Sequence, residues 1–180
     1  MRYLLMVPFC LAAAACSGGG EEKKAGPTAP PALMPAGQYA TEYEVTAFRQ
    51  TDNNPTPAVK AKQGDKSSGS GCVTAGSTPP PELFVGQGYQ CSYKYNFIKN
   101  GTLNASLGCT IAGKPGDVTM TLQGSYDADS FEGVLETNTY FPGNGDFAMS
   151  RKITGKLTGP TCAPAEGADG NSSAGAAKAG

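Results

Sequence analysis

Residues 89–111 read YQCSYKYNFIKNGTLNASLGCTI, and this stretch decides the fold. On each side of its Asn100-Gly101 pair, apolar residues alternate with polar ones, which is the two-residue period of a half-buried β-strand. An Asn-Gly step between two such runs is a strong signal for a β-hairpin. The stretch therefore predicts two antiparallel strands with one face buried.

The alternation also predicts the register of this hairpin. A two-residue turn would place apolar residues opposite polar ones, whereas a three-residue loop over 99–101, with Gly101 left-handed, keeps the apolar faces together. The predicted pairs are Phe97 with Leu103, Tyr95 with Ala105, Tyr93 with Leu107 and Cys91 with Cys109. These pairs fall at non-hydrogen-bonded sites, where the backbones approach closely enough for a disulfide.

Alternation of the same kind recurs over residues 37–49, 118–126, 131–135 and 146–158. A second hairpin closes through residues 127–130 and pairs Tyr126 with Phe131. Apart from a single helical turn at residues 81–84, no stretch of the core has a helical period. We expect an all-β domain, an antiparallel meander of about seven strands curved into a small barrel or half-barrel.

The N-terminus has the features of an export signal. Arg2 precedes an apolar run over residues 4–15 that is too short to span a bilayer permanently. The run ends in AAAC at residues 13–16, which resembles the lipobox of bacterial lipoproteins, although Ala13 stands where Leu is common. This resemblance implies that Cys16 is acylated and anchors the chain in a membrane. Ser17 after it favours the outer membrane of a Gram-negative bacterium, facing the periplasm. The alternative is an ordinary cleavage site beside an incidental cysteine.

Composition divides the chain into four parts. Residues 1–15 form the predicted signal peptide, and residues 16–36, rich in Gly and Pro, form the lipidated cysteine and a flexible tether. Residues 37–162 hold the β domain. Residues 163–180, rich in Ala and Gly, form a disordered tail.

The chain has six cysteines, and four of them remain for structure. Cys10 leaves with the signal peptide and Cys16 is acylated. An even number of cysteines in an exported chain implies disulfides, so once Cys91 is paired with Cys109 the remaining pair is Cys72 with Cys162. The alternative, a redox or metal role, lacks a CxxC pair and any histidine.

Charge and composition exclude several classes of function. The chain has 14 basic and 15 acidic residues, a formal charge of −1, so it lacks the basic surface of a nucleic-acid-binding protein. It contains no histidine. The absence excludes Ser-His-Asp and Cys-His nucleophilic sites and the familiar zinc sites. We therefore expect no enzyme activity, no cofactor and no metal.

The order of features resembles the uncharacterised envelope family DUF3617 of exported proteobacterial proteins, many of them lipoproteins. The resemblance lies in a Gly-aromatic-Glu strand at residues 37–46, a Cys-Val-Thr segment at residues 72–74 followed by Pro79, and the Cys91 to Cys109 hairpin. It continues through residues 126–131 and residues 149–156 and ends at Cys162. The resemblance implies an exported β domain and assigns no catalytic or binding residue.

Two sets of residues are candidates for a ligand site. Four tyrosines on inward faces could line a ligand cavity or fill a small barrel with their hydroxyls at its mouth: Tyr39, Tyr43, Tyr93 and Tyr95. Arg151 shares the apolar face of the last strand. Either a bulge or a rim position turns it outward, or it is partly buried and needs an acidic or ligand partner.

Other polar groups have ordinary explanations. Asp127 and Asp129 could bind Ca²⁺, but both are common in hairpin turns. Glutamates on the polar faces could form a carboxylate pair, but such residues are also typical of a solvated strand face: Glu42, Glu44, Glu132 and Glu136. Residues 50–71 are predicted to form a long polar segment, either mobile or a binding loop.

These observations favour a non-catalytic lipoprotein. The leading hypothesis is a membrane-anchored module that binds a protein or another envelope component through one end or face of its sheet. The alternative is a carrier with a small hydrophobic ligand inside the barrel.

Overall fold

A computed structural model describes residues 29–54, 56–143 and 145–162. The predicted signal peptide, the Cys16 anchor, residues 17–28 of the tether and the tail at 163–180 lie outside the described residues. Alternating sequence produces seven strands and one helical turn in the described part of the chain: β1 (Gly37–Gln50), β2 (Lys66–Val73), α1 (Glu82–Val85), β3 (Tyr89–Lys99), β4 (Thr102–Ile111), β5 (Lys114–Tyr126), β6 (Ser130–Tyr140) and β7 (Phe147–Gly159).

The strands form one antiparallel sheet in the order β2-β1-β7-β6-β5-β4-β3. Strands β3 to β7 form a meander, β1 pairs with both β2 and β7, and the sheet curves into a half-barrel whose edges are β2 and β3. The predicted all-β class, the antiparallel meander and the number of strands are confirmed. No helix within the described residues has the length and apolar character needed to cross a membrane.

The concave side of the sheet is packed with apolar side chains. Inward residues of β4, β5 and β6 are almost completely buried, among them Leu107, Leu122 and Leu135. The helical turn α1 contacts β1, β2 and β3, and its residues Leu83 to Val85 are buried. Because β2 and β3 are the two edges of the sheet, α1 closes the open side of the half-barrel.

The predicted register of the β3–β4 hairpin is half correct. Cys91 pairs with Cys109 and Tyr93 with Leu107, as predicted, but a bulge between Tyr93 and Tyr95 then shifts the register. Phe97 therefore faces Asn104, and not Leu103. The connection is a two-residue turn with positive φ at Asn100 (52°) and Gly101 (77°), so the predicted three-residue loop is wrong.

The bulge exchanges the faces of the second half of β3. Ile98 points inward and is buried, whereas Tyr95 and Phe97 point outward. Because β3 has one extra residue, Lys94, the hairpin can have a two-residue Asn-Gly turn and still bury apolar residues of both strands on one face. A regular hairpin with this turn would place apolar residues opposite polar ones. The prediction assumed that alternation continues without a break through β3, and it therefore placed the extra residue in the loop at residues 99–101.

Part of the predicted polar segment 50–71 is a strand. Residues 66–71 belong to β2, which pairs with β1 from Glu44↔Lys66 to Gly37↔Val73. Its sequence, KSSGSGCV, has almost no apolar residues that would indicate a strand. The β5–β6 hairpin is regular, and the predicted pairing of Tyr126 with Phe131 is confirmed.

Both predicted disulfides are present. Cys91 and Cys109 join β3 to β4, and Cys72 and Cys162 join β2 to the chain after β7. The second disulfide fastens an edge strand of the sheet to the C-terminal end of the domain, across β1.

The last residues of the predicted tether pack on the domain. Met34 is buried. The Ala32 carbonyl accepts hydrogen bonds from the Asn100 N–H (2.9 Å) and from the Tyr126 hydroxyl (3.2 Å). The ordered domain thus begins before Gly37, and the chain that leads back toward residue 16 starts beside the β3–β4 turn.

Candidate functional site

The interior tyrosines use their hydroxyls to fasten covering segments to the sheet. Tyr39 and Tyr43 are buried on β1 and donate hydrogen bonds to the carbonyls of Pro35 (2.9 Å) and Leu83 (3.1 Å). The Tyr93 hydroxyl donates to the Pro79 carbonyl (2.9 Å). These three phenols therefore have main-chain partners, which agrees with a filled barrel better than with a cavity lined by free hydroxyls.

Burial also changes how easily these phenols ionise. Loss of contact with water disfavours the phenolate and raises the pKa of Tyr39, Tyr43 and Tyr93 above the ordinary value. The pKa of Tyr89, on the inner face of β3, is raised for the same reason. At neutral pH these side chains are thus hydrogen-bond donors.

Tyr95 does not join the other candidate tyrosines. It follows the bulge at Lys94, lies on the outer face of β3 and is 54% exposed. Its predicted place in an inward row of tyrosines is wrong, because the bulge reverses the alternation after Tyr93.

Arg151 lies inside the half-barrel and is only 7% exposed. It is paired in the sheet with Val45 and Leu135, and no outward rotation moves it to the rim. The centre of its guanidinium lies 5.6 Å from the Tyr43 ring and 5.5 Å from the Tyr89 ring. Of the two sequence interpretations, the structure shows the inward one, and the neighbours are aromatic rings.

Tyr43, Tyr89 and Arg151 form a cluster, and of these three Tyr89 was not among the candidate site residues identified from the sequence. It occupies the first position of β3, in the same inward alternation as Cys91 and Tyr93. That alternation was visible in the sequence. What the sequence lacked was the curvature that brings the start of β3 to the inner face of β7.

The acidic candidates lie outside the interior. Asp127 and Asp129 flank the β5–β6 turn, where the Ser130 hydroxyl donates to the Asp129 carboxylate (3.2 Å). No group of three or more metal-ligating side chains occurs within 29–54, 56–143 and 145–162. The glutamates lie on the outer face: Glu44 is 3.3 Å from Lys66 Nζ, and Glu136 accepts a hydrogen bond from the Ser150 hydroxyl (2.8 Å).

Three grooves within the described residues have linings that do not include Arg151. One of about 530 Å³ crosses β1, β7 and β6 beside Glu42, Glu132 and Lys156. A second of about 600 Å³ lies along β1 and β2, and a third of about 820 Å³ lies along β3, β4 and β5.

Exposed aromatic side chains mark the β3–β4 hairpin. Tyr95 and Phe97 are 54% and 37% exposed on the outer face, and Lys99 Nζ lies 4.7 Å from the centre of the Phe97 ring. We call Lys94, Tyr95, Phe97 and Lys99 the hairpin surface. It lies on an edge strand, beside the turn that contacts Ala32.

Comparison with known proteins places the chain at the level of a family. No curated protein and no solved structure matches it. The model of DUF3617, a protein family of unknown function, matches residues 34–162, which include every strand and both disulfides, and the chain therefore belongs to the DUF3617 family.

Proposed function

We propose that this protein is a lipoprotein anchored in the outer membrane of a Gram-negative bacterium, whose periplasmic β domain is a non-catalytic binding module. The domain binds another envelope protein through the hairpin surface. The observation that carries this proposal is the pair of exposed aromatic side chains, Tyr95 and Phe97, on an edge strand. Aromatic residues dominate the energetics of protein interfaces, and two on one edge form the centre of a binding surface.

The charge around the hairpin surface indicates the chemistry of the partner. Residues 83–116 contain three lysines and no Asp or Glu, whereas the outer faces of β1 and β6 carry the glutamates. A cationic hairpin on a nearly neutral chain favours a partner segment that carries carboxylates.

The edge position indicates how the partner binds. No other described strand pairs with the free side of β3. Alternate residues of an edge strand direct their N–H and C=O groups away from the sheet, where an extended segment can add as a further strand. The proposed partner is therefore an extended acidic segment of an envelope protein.

Cross-linking in cells tests this surface. A photo-reactive phenylalanine analogue at position 95 should cross-link to one defined protein, and the same analogue at position 140 should not. Tyr140 is the matched control because it is 68% exposed and lies at the opposite end of the sheet. When this protein and its cross-linked partner are purified, raising the salt concentration should weaken their binding. The substitution Lys99→Gln should also weaken it. Equal cross-linking from both positions would contradict the proposal.

The anchor has its own test. The lipobox at residues 13–16 supports acylation of Cys16, and several acyl chains together give stable membrane attachment. Radioactive palmitate should label the wild-type protein and leave Cys16→Ser unlabelled. Equal labelling of the two proteins would refute the lipoprotein assignment and leave the hairpin surface untouched.

A carrier of a small hydrophobic ligand is the second candidate. The observation that favours it is Arg151, a cation buried within an otherwise apolar interior. Native mass spectrometry of the Cys16→Ser protein purified from periplasm should show a co-purifying adduct of lipid size if the carrier function is correct.

A further inference from the structure

The guanidinium of Arg151 has no acidic partner in the described part of the chain. The salt bridge found there joins Lys66 to Glu44 on the outer face, and Arg151 takes part in no hydrogen bond or ion pair. Its Nε and Nη2 atoms are buried and unpaired. Burial lowers the pKa of Arg151, because a low-dielectric surrounding disfavours the charged form.

The two unpaired atoms form a defined geometry. Nε and Nη2 carry the N–H groups on one edge of the planar guanidinium, and this edge presents two parallel donors. A carboxylate or phosphate accepts from such a fork with two oxygens at once. The rings of Tyr43 and Tyr89 lie near the same guanidinium. No described group accepts a hydrogen bond from its Nε and Nη2 edge.

The residues around Arg151 indicate what the rest of a ligand must be. Its pairing partners in the sheet are Val45 and Leu135, and the next inward residues of β7 are Met149 and Ile153. All four are apolar and buried. An anion bound here would have its remaining atoms against hydrocarbon side chains.

The adjoining turn covers one side of the Arg151 cluster. Residues 86–88 connect α1 to β3 and lead directly into Tyr89, and Gly86 and Gly88 both have positive φ (76° and 90°). A Cβ at Gly86 would lie 3.2 Å from the Tyr43 ring, so this turn lies against one of the two rings that flank Arg151. Displacement of this turn would open the cluster without breaking a strand pair.

We propose that Arg151 is the receptor for the oxyanion of an amphiphile, a carboxylate or phosphate joined to an apolar chain, bound inside the half-barrel. The Nε and Nη2 groups hold two oxygens of the head group. Because the interior is filled, the apolar chain takes the place of α1 against β6, where Phe84 packs on Phe131, when residues 86–88 are displaced. This site is separate from the hairpin surface, and it specifies the ligand class for the carrier candidate, on which it rests.

Calorimetric titration of the full chain carrying Cys16→Ser tests the site. The probes are decanoate, decyl phosphate, decanol and inorganic phosphate. Decanoate or decyl phosphate should bind about tenfold or more tightly than decanol, because hydrogen bonds to a charged group strengthen binding by about that factor. The tighter of the two anions identifies the head group. Inorganic phosphate binding as tightly as either would overturn the role of the apolar chain.

Substitutions separate the receptor from a purely structural arginine. Arg151→Lys keeps the charge and loses the fork, and should weaken binding of the anions about tenfold. Arg151→Met should make the affinities for decanoate and decanol equal. Lys152→Met, the neighbouring basic residue on the outer face, is the matched control and should bind as the wild type does.

The results that would contradict the Arg151 receptor differ from those that would contradict the carrier function. If decanol binds and decanoate gains nothing over it, the protein carries hydrophobic ligands and Arg151 is not the receptor. If no chain-bearing probe binds, both the carrier function and the proposed receptor are overturned. If Arg151→Met does not fold, equal affinities of Arg151→Lys and the wild type for decanoate would still overturn the proposal.

Discussion

A single residue, Lys94, decides which aromatic side chains of β3 reach solvent. Without the bulge at this residue, Tyr95 and Phe97 would continue the inward row begun by Tyr93. The sequence could not reveal it, because apolar or aromatic residues occur on both sides of the strand from Tyr93 to Ile98. Alternation locates a buried face only where the opposite face is polar.

For Arg151, the sequence indicates the face of the strand but not the neighbouring rings. Its parity with Met149 and Ile153 put it on the apolar face of β7 but left open whether a bulge or a rim position turned it outward, and the structure shows it buried inside. The two rings beside it belong to β1 and β3. Even the nearer of them in sequence, Tyr89, lies more than 60 positions from Arg151 along the chain. Contacts of that kind depend on sheet curvature, which a pattern along one strand does not contain.

Gly155 offers a test of packing at a single position. On the inner face of β7, a Cβ added at Gly155 would overlap the Phe131 ring. Gly155→Ala should lower the free energy of unfolding by about 2 kcal/mol, a typical loss for overpacking a core. Urea unfolding followed by circular dichroism measures it.

Gly159→Ala is the matched control for that substitution. It lies in the same strand, and the nearest atom to an added Cβ is 3.9 Å away. It should change the free energy of unfolding by less than about 0.5 kcal/mol. Equal losses for the two alanine variants would show that Phe131 does not fill the space at Gly155.

At the scale of elements, β2 shows why a strand can escape a sequence pattern. Its eight residues contain two Gly and three Ser, and only Val73 is buried. It becomes a strand because β1 supplies a complete ladder of partners along it. Strand formation depends on such pairing and on burial more than on intrinsic preference, so local composition was a poor guide here.

Deletions in β3 test the position of the bulge. Removing Lys94 should leave every described β3–β4 pair in place, because it is the unpaired extra residue. The hairpin then becomes regular, and the free energy of unfolding should fall by less than about 1 kcal/mol, the cost of local twist lost with the bulge.

Removing Asn96 should likewise be tolerated, with a fall in the free energy of unfolding of less than about 1 kcal/mol. Without Asn96 the hairpin also becomes regular, because Tyr95 takes the inward position opposite Ala105 while Ile98 stays opposite Leu103. Chemical denaturation compares the two deletions. A loss of about 2 kcal/mol or more for both deletions would show that β3 has no extra residue between Tyr93 and Ile98.

At the scale of the whole molecule, the two disulfides should contribute unequally. They close loops of 18 residues (Cys91–Cys109) and 90 residues (Cys72–Cys162). In the chain-entropy account, these loops correspond to about 3 and about 4.5 kcal/mol of stability. Paired substitution to alanine at Cys72 and Cys162 should therefore destabilise the domain more than at Cys91 and Cys109. Unfolding midpoints in urea that rank in the reverse order would contradict this account.

Alkaline pH should unfold the domain. Tyr39, Tyr43, Tyr89 and Tyr93 have a pKa raised by burial, so the folded state holds these phenolic protons more tightly than the unfolded state. Their contribution is complete below about pH 10, the ordinary tyrosine pKa, and is lost as the pH rises above it.

Each such tyrosine lowers the free energy of unfolding by about 1.4 kcal/mol per pH unit once it ionises only in the unfolded state. Urea titrations at intervals between pH 8.5 and pH 11.5 should show this decline, and Tyr39→Phe should make it shallower. A free energy of unfolding that stays constant over this interval would contradict the assigned burial of the phenols.

Much of the global architecture could be predicted from sequence. The period of two in six segments predicted the class. The hairpin register predicted the Cys91–Cys109 disulfide, which left Cys72–Cys162 as the second. The strand order could not be predicted. In the structure β1 lies between β2 and β7, and nothing within β1 identifies β7 as its neighbour. That choice is made by the curvature of the complete sheet and by the segment that covers its open side.

The pairing of β1 with β7 constrains when the domain can form. A ribosome releases β1 first, but the strand on one side of it, β7, is the last of the seven to be made. The ladder between β1 and β7 joins residues that lie about a hundred positions apart in the chain, and such long-range pairing makes folding slow. The complete sheet therefore cannot form until β7 has been synthesised, because β1 and β2 are joined to the meander only through β7.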